Sequence, residues 1–107
     1  MGPIERGEIR LCRISGDKRR PVVVLTRSSA IPYLTRVTVA PITSTIRSVP
    51  SEVVLGIEDG LKHRSAVNLH NAVTVERKRL ETRVAQLSAA RLREVCSAIK
   101  FALGCES

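Results

Sequence analysis

Three stretches of this 107-residue chain carry side chains able to act on a phosphate group. Lys18-Arg19-Arg20 stands directly before Pro21 and the apolar run Val22-Val23-Val24-Leu25. Thr43-Ser44-Thr45 follows Val39-Ala40-Pro41-Ile42, and a polar cluster runs from His63 to Asn71. Two rigid strands that deliver an arginine and a hydroxyl to adjacent ends would make a phosphate site, because the guanidinium offers a fork of donors and the hydroxyl adds another. Each stretch also has an ordinary reading, as a solvated basic turn or as hydroxyls bonding the backbone at a strand end. His63 and His70 have the right chemistry for an acid and base pair at neutral pH. Nothing in their spacing brings the rings together, and two surface histidines are the simpler expectation. There are no paired carboxylates at metal-ligand spacing, no Gly-rich phosphate loop and no Gly-x-Ser-x-Gly elbow. No metal site and no cofactor are therefore expected.

The composition narrows what such a site would hold. Eighteen Lys plus Arg against ten Asp plus Glu give a formal charge of +8, and fourteen of the cations are arginine. This excess points to a polyanionic partner, nucleic acid first and an acidic protein second. The only aromatic residues are Tyr33 and Phe101, which excludes a multi-aromatic platform for stacking bases and leaves Val, Ile, Leu and Ala to build the core. Cys12, Cys96 and Cys105 are widely spaced with no Cys-x-x-Cys pair, so neither a disulfide framework nor a zinc site follows. Glu5, Arg6, Glu8 and Arg10 interrupt the apolar stretch a signal peptide would need, and nowhere do eighteen apolar residues run together. A cytoplasmic location without a membrane span is expected.

The elements that must position these residues follow from periodicity. Residues 8–14 alternate as a half-buried strand, and residues 15–18 supply turn chemistry. The run from Val22 to Leu25, apolar on both faces, predicts a central strand. Residues 27–36 read as a loop, residues 37–42 as a third strand with Pro41 marking an edge or a terminus, and residues 44–50 as a second exposed loop. A fourth strand is expected over 52–57, one or two short ones over 65–75, a helical turn over 76–81 and a short last strand over 82–84. The C-terminal segment is a helix: Leu92, Val95, Cys96, Ile99 and Leu103 share one face, with Ser88 as N-cap, Leu87 and Leu92 as a staple and Gly104 as terminator. The expectation is one β-rich domain, residues 1–107, closed by a helix.

Taken in order, Arg6-Gly7-Glu8-Ile9, Lys18-Arg19-Arg20-Pro21-Val22-Val23-Val24-Leu25, Val39-Ala40-Pro41-Ile42-Thr43-Ser44 and Glu52-Val53-Val54-Leu55 resemble the MazF/PemK family of bacterial toxins. The stretch from Ser65 to Val75 and the terminal helix continue the resemblance over nearly the whole chain. It implies an α+β fold of the CcdB/PemK type, a small SH3-like β-barrel with a C-terminal helix, assembled as a homodimer. It also implies a sequence-specific, metal-independent endoribonuclease toxin that cleaves single-stranded RNA, whether mRNA, tRNA or rRNA, and is neutralised by a cognate MazE-like antitoxin through an acidic segment. By motif, the family's catalytic arginine falls on Arg20 and its catalytic threonine on Thr43. RNA-binding roles fall on Lys18, Arg19, Arg47, Arg64 and Asn71, the last in place of a glutamine common in the family.

Two positions depart from the family pattern: Arg10 stands where an aromatic residue is frequent, and the first loop is short, with Asp17 as its only acidic residue. The general base is left unassigned, because an arginine with a pKa above about 12 is a poor one. Two other functions fit the same fold. A CcdB-like inhibitor would poison DNA gyrase by binding, but such toxins end in an aromatic-containing tail, and this chain ends Leu103-Gly104-Cys105-Glu106-Ser107. A basic barrel that binds RNA without cutting it is the other.

Overall fold

The computed structural model describes residues 3–15 and 18–104; Asp17 and Cys105 lie outside them. Seven antiparallel strands, β1 (Glu8–Ser15), β2 (Lys18–Val24), β3 (Arg36–Thr43), β4 (Glu52–Leu55), β5 (Ser65–Asn68), β6 (Val73–Glu76) and β7 (Leu80–Gln86), precede one helix, α1 (Ala89–Leu103). Their order is β4-β5-β3-β2-β1-β7, with β6 paired to β3 beside this path. β4 and β7, at the two ends of the path, do not pair with each other, so the barrel is open.

The valine run makes β2 central, as its two-sided apolar pattern requires. Val23 joins a core with Ile9, Ala40, Val53, Leu55, Val67 and Leu87, closed by Val95 and Ala98 of α1. Val22 and Val24 point the other way, into a smaller core with Cys12, Val37, Val39, Leu80 and Ile31. Ile31 comes from a short 3-10 turn, Ile31–Tyr33, inside the stretch read as loop. The helix has its expected ends: Ser88 Oγ accepts from Arg91 N at 3.2 Å, and Gly104 adopts φ +69° with its N–H on the last carbonyls.

Several boundaries differ from the sequence expectation. β2 begins at Lys18, so the basic run lies in a strand and alternates its faces. β4 stops at Leu55, because Gly56 leads into a 3-10 turn where Asp59 accepts from Gly56 N at 2.9 Å. The helical turn expected over 76–81 shrinks to Arg77–Arg79, and β7 extends over seven residues. Pro41 marks neither an edge strand nor a free end. β3 is flanked on both sides, and Pro41 sits where it stops pairing with β6 after Val39 and starts pairing with β5 at Ile42. A residue without N–H costs no ladder bond there.

β1 is also more buried than its alternation suggests, because β2 and β7 flank it. Arg10 is 3% exposed, and its Nε donates to Glu8 Oε1 at 2.9 Å while its Nη1 donates to Glu81 O at 2.8 Å. Glu5 N donates to the same Glu8 oxygen, and Arg83 lies 3.6 Å from the other. Burial alone would raise the Glu8 pKa, but these donors and charges together hold its carboxyl below the usual carboxylate range. Beside it, Gly7 takes φ +87°, and a Cβ there would lie 2.9 Å from Leu92 of α1. The Arg6-Gly7-Glu8 motif thus seats the helix on the barrel.

Candidate nucleic-acid interface

The register of β2 on β3 sets Val24 opposite Val39, Val23 opposite Ala40 and Val22 opposite Pro41. The β2–β3 ladder ends at the Val22–Pro41 pair, and its register continued by two residues leads to Arg20 and Thr43. Residues two apart on a strand share a face, so both side chains lie on the side of Val22 and Pro41. Thr43 in turn pairs with Ala66 of β5, and Ala66 with Val54 of β4. On the other flank Arg20 pairs with Cys12. Arg20 thus has Cys12 beside it on its paired flank, and Thr43 has Ala66 and then Val54, so each polar group is neighboured by small or apolar residues.

Arg20 is exposed and makes no ion pair among the described residues. Thr43 is half-buried, and its Oγ1 accepts from Thr45 N at 3.1 Å. That bond orients the hydroxyl and leaves its proton free to donate. Lys18, two residues before Arg20 in β2, faces the same side. Arg19 does not: it pairs across with Arg13, and Glu81 holds both, at 2.9 Å from Arg19 Nε and 3.5 Å from Arg13 Nη2. The expectation that Lys18, Arg19 and Arg20 act together therefore divides, two on the Thr43 face and one on the opposite face.

Arg47 stands in the loop after β3. Its backbone N–H and that of Ser48 donate to Glu52 Oε1 at 3.0 and 2.9 Å, and Ser48 takes the left-handed φ of +57°. Glu52 straps this loop to the start of β4, a role that shows in the sequence only as an acid four and five residues after the amides it binds. Arg64 directly precedes β5, two residues before Ala66, and is exposed. Asn71 is exposed in the 3-10 turn Leu69–Asn71 that follows β5. The histidines do not meet. The roughly 10 Å length of β5 separates them, and His70 Nδ1 is hydrogen-bonded to Ser51 Oγ while the His63 carbonyl accepts from Ser65. Cys96, expected on the apolar helix face, is half-buried with Arg6 Nη2 donating to its Sγ at 3.2 Å, and burial pushes the Cys12 thiol up.

No group of three or more potential metal ligands occurs among the described residues, nor any helix long and apolar enough to cross a membrane. The face carries an unengaged guanidinium and a pre-oriented hydroxyl with Lys18 on the same side; Arg47 in the loop after β3 and Arg64 before β5 are further cations without acidic partners among the described residues. A guanidinium fork and a hydroxyl donor have the chemistry that phosphodiester oxygens accept from.

Comparison with known proteins agrees with that class and narrows it. A profile of the PemK-like, MazF-like toxins of type II toxin-antitoxin systems matches residues 5–103, and the chain belongs to that family. It is 46% identical over 101 residues to the probable endoribonuclease MazF5 of Mycobacterium tuberculosis, covering 94% of this chain and 93% of that one. Among solved structures it resembles the M. tuberculosis toxin MazF-mt6, with a TM-score of 0.85, 35% identity and coverage of 94% and 99%. It shares its fold with a mycobacterial endoribonuclease solved in complex with its cognate antitoxin, TM-score 0.87 at 23% identity, covering 97% and 98% of the two chains.

Proposed function

We propose that the chain is an endoribonuclease toxin that cuts single-stranded RNA on the face carrying Arg20 and Thr43. The observation that supports this reading is the β2–β3 register, whose continuation past Val22 and Pro41 leads to an unpaired guanidinium on one strand and a hydroxyl with a free proton on the next. RNA brings its own nucleophile, the 2′-OH, so the protein has to align it and stabilise the charge that develops on phosphorus. Arg20 does the second with forked donors to the non-bridging oxygens. Thr43 donates to the same phosphate and fixes its rotation. Attack of the 2′-oxygen on phosphorus expels the 5′-oxygen of the next nucleotide, leaving a 2′,3′-cyclic phosphate and a 5′-OH end, with no metal required. Lys18, Arg47, Arg64 and Asn71 hold the strand to either side, while Arg19, on the opposite face and bound by Glu81, takes no part in the cut.

The relatives' names support this reading, as does the solved antitoxin complex of a protein with the same fold. A cognate MazE-like antitoxin with an acidic segment would occupy the same cations, and the toxin would act as a homodimer in the cytoplasm. The test is to incubate the purified protein with a long RNA in excess chelator and map the new 5′-OH ends. Cleavage at a recurring short motif supports the proposal. Binding without cleavage would leave an RNA-binding barrel, and toxicity that depends on gyrase without RNA cleavage would leave a CcdB-like inhibitor.

A further inference from the structure

The face that holds Thr43 carries a partly buried asparagine whose amide makes no hydrogen bond. Asn68 closes β5, two residues after Ala66, and so shares the face of Thr43 and Val54. Its Oδ1 is sealed from solvent without a hydrogen-bond partner, although the residue as a whole is only half-buried. Its polar neighbours on the flanking strands are engaged: Thr43 Oγ1 accepts from Thr45 N, and Glu52, directly opposite Asn68, accepts the amides of Arg47 and Ser48. On the other flank the β3 register brings Pro41, which has no N–H to offer.

An inward carbonyl oxygen with no donor is costly, of the order of 1–3 kcal/mol in such settings, and an amide that nothing holds turns readily about its terminal torsion. Turned outward, it presents an acceptor and a donor side by side. From strand rise and spacing, its Cα lies roughly 8 Å from that of Thr43, which suits a base beside the phosphate held there rather than the phosphate itself.

We propose that Asn68 is a specificity-determining residue that reads a base flanking the scissile phosphate, selecting adenine over guanine. Adenine carries an amino N–H, N6, beside a ring-nitrogen acceptor, N7, which matches Oδ1 and Nδ2 of one amide. Guanine puts a carbonyl oxygen, O6, beside N7 on the same edge, and two acceptors cannot both be met by an amide with one donating end. This rests on the endoribonuclease reading and names what that site recognises. Amide pairing of this kind discriminates by about tenfold or more.

The experiment compares wild-type protein with Asn68→Leu, Asn68→Asp and Asn68→Ala on a randomised single-stranded RNA, sequencing the 5′-OH ends. For the wild type, one position flanking the cut should be enriched in A over G. Asn68→Leu and Asn68→Ala should lose about tenfold of that enrichment at this position alone and keep the rest of the motif. Asn68→Asp, which still accepts from the N6 amino group, should keep a preference for A over G while cutting more slowly throughout. The Ala variant guards against a fold effect of Leu, with circular dichroism and sedimentation as checks. Motif profiles superimposable on the wild type at every position, or no preference for A over G at either flanking position of the wild type, overturn the inference. So does a change in oligomeric state with an unchanged profile. Failure of the wild type to cut RNA at all is a separate outcome, and it overturns the endoribonuclease reading together with this one.

Discussion

If Arg20 and Thr43 clamp one phosphate, removing both must cost less than the two single losses added together. Arg20 is exposed and has no partner among the described residues, so Arg20→Ala should leave stability within about 0.5 kcal/mol. Its loss in cleavage should be about a hundredfold to a thousandfold, the range for removing one donor to a developing oxyanion. Arg20→Lys keeps the charge but not the fork and should lose about tenfold or more. Thr43→Ala removes a donor to a charged group, about 1.5–3 kcal/mol or roughly tenfold to a hundredfold. It also removes the Oγ1 bond to Thr45 N at 3.1 Å, lowering stability by about 1 kcal/mol and the melting temperature by about 4–8 °C. Thr43→Ser should restore both. Independent action would make the double variant slower by the product of the two single effects, roughly a thousandfold to a hundred-thousandfold. Groups acting on one phosphate fall short of their product, and a coupling of at least about 1 kcal/mol is expected. The assay is single-turnover cleavage of a short RNA with the four proteins, with thermal melts alongside. Additivity to within about 0.5 kcal/mol would refute a shared phosphate, and an Arg20→Ala variant within threefold of wild type would refute the site.

Other expectations follow from the same geometry. Arg19 faces away and is held by Glu81, so Arg19→Ala should leave cleavage within about threefold, whereas Lys18→Ala should weaken RNA binding and reduce the slope of log affinity against log salt by about 0.7; salt-dependent binding curves distinguish the two. Glu8 and Asp59 both have lowered carboxyl pKa values despite burial, Glu8 mainly through its Arg10 hydrogen bond and Asp59 mainly through that of Arg91. Their contribution to stability is complete above the unfolded values of about 4.3 and 3.9 and is lost as pH falls through the folded ones. Urea unfolding from pH 7 down to pH 3 should show this loss, and Glu8→Gln, already destabilised at pH 7, should show a shallower one. Val95→Ala, at the fully buried contact of α1 with the larger core, should cost about 2–3 kcal/mol by denaturant unfolding without altering the cleavage motif.

What could be read from the sequence was whatever local periodicity determines. The valine run is apolar on both faces because β2 lies between two cores, and the i, i+3, i+4 pattern of α1 together with Ser88 and Gly104 sets both helix ends. Pairing between residues far apart in the chain leaves no such mark. Arg20 and Thr43 are twenty-three positions apart, and that they share a face depends on which valine of β2 lies opposite which residue of β3. Reading residues 15–18 as a turn also hid the alternation of the basic run, since a turn has no faces and a strand puts Arg19 opposite to Arg20. Arg10 looked like a solvent-facing position because its partners are Glu8, two residues back, and the Glu81 carbonyl, seventy-one residues on. An asparagine with nothing to bond, such as Asn68, is indistinguishable in sequence from one that is satisfied.

The +8 charge acts through where its counter-charges are placed. Glu8 engages Arg10 and Arg83, Glu81 engages Arg13 and Arg19, Glu76 engages Lys78 and Arg79, and Arg91 takes Glu58, Asp59 and Glu94. Glu52 is occupied by backbone amides. Seven of the eight acids of the described residues are thereby committed, on β1, β4, β6, β7, α1 and the turn before β5, and none forms an ion pair with the side chains of Lys18, Arg20, Arg47 or Arg64. Those four cations are left uncompensated because the acids are spent on other partners. An RNA strand and an acidic protein segment would both be attracted to that remainder, and each neutralises the same guanidinium groups. On the proposed site, competition between substrate and inhibitor needs no conformational change, since an acidic segment would cover the same cations that would hold the RNA.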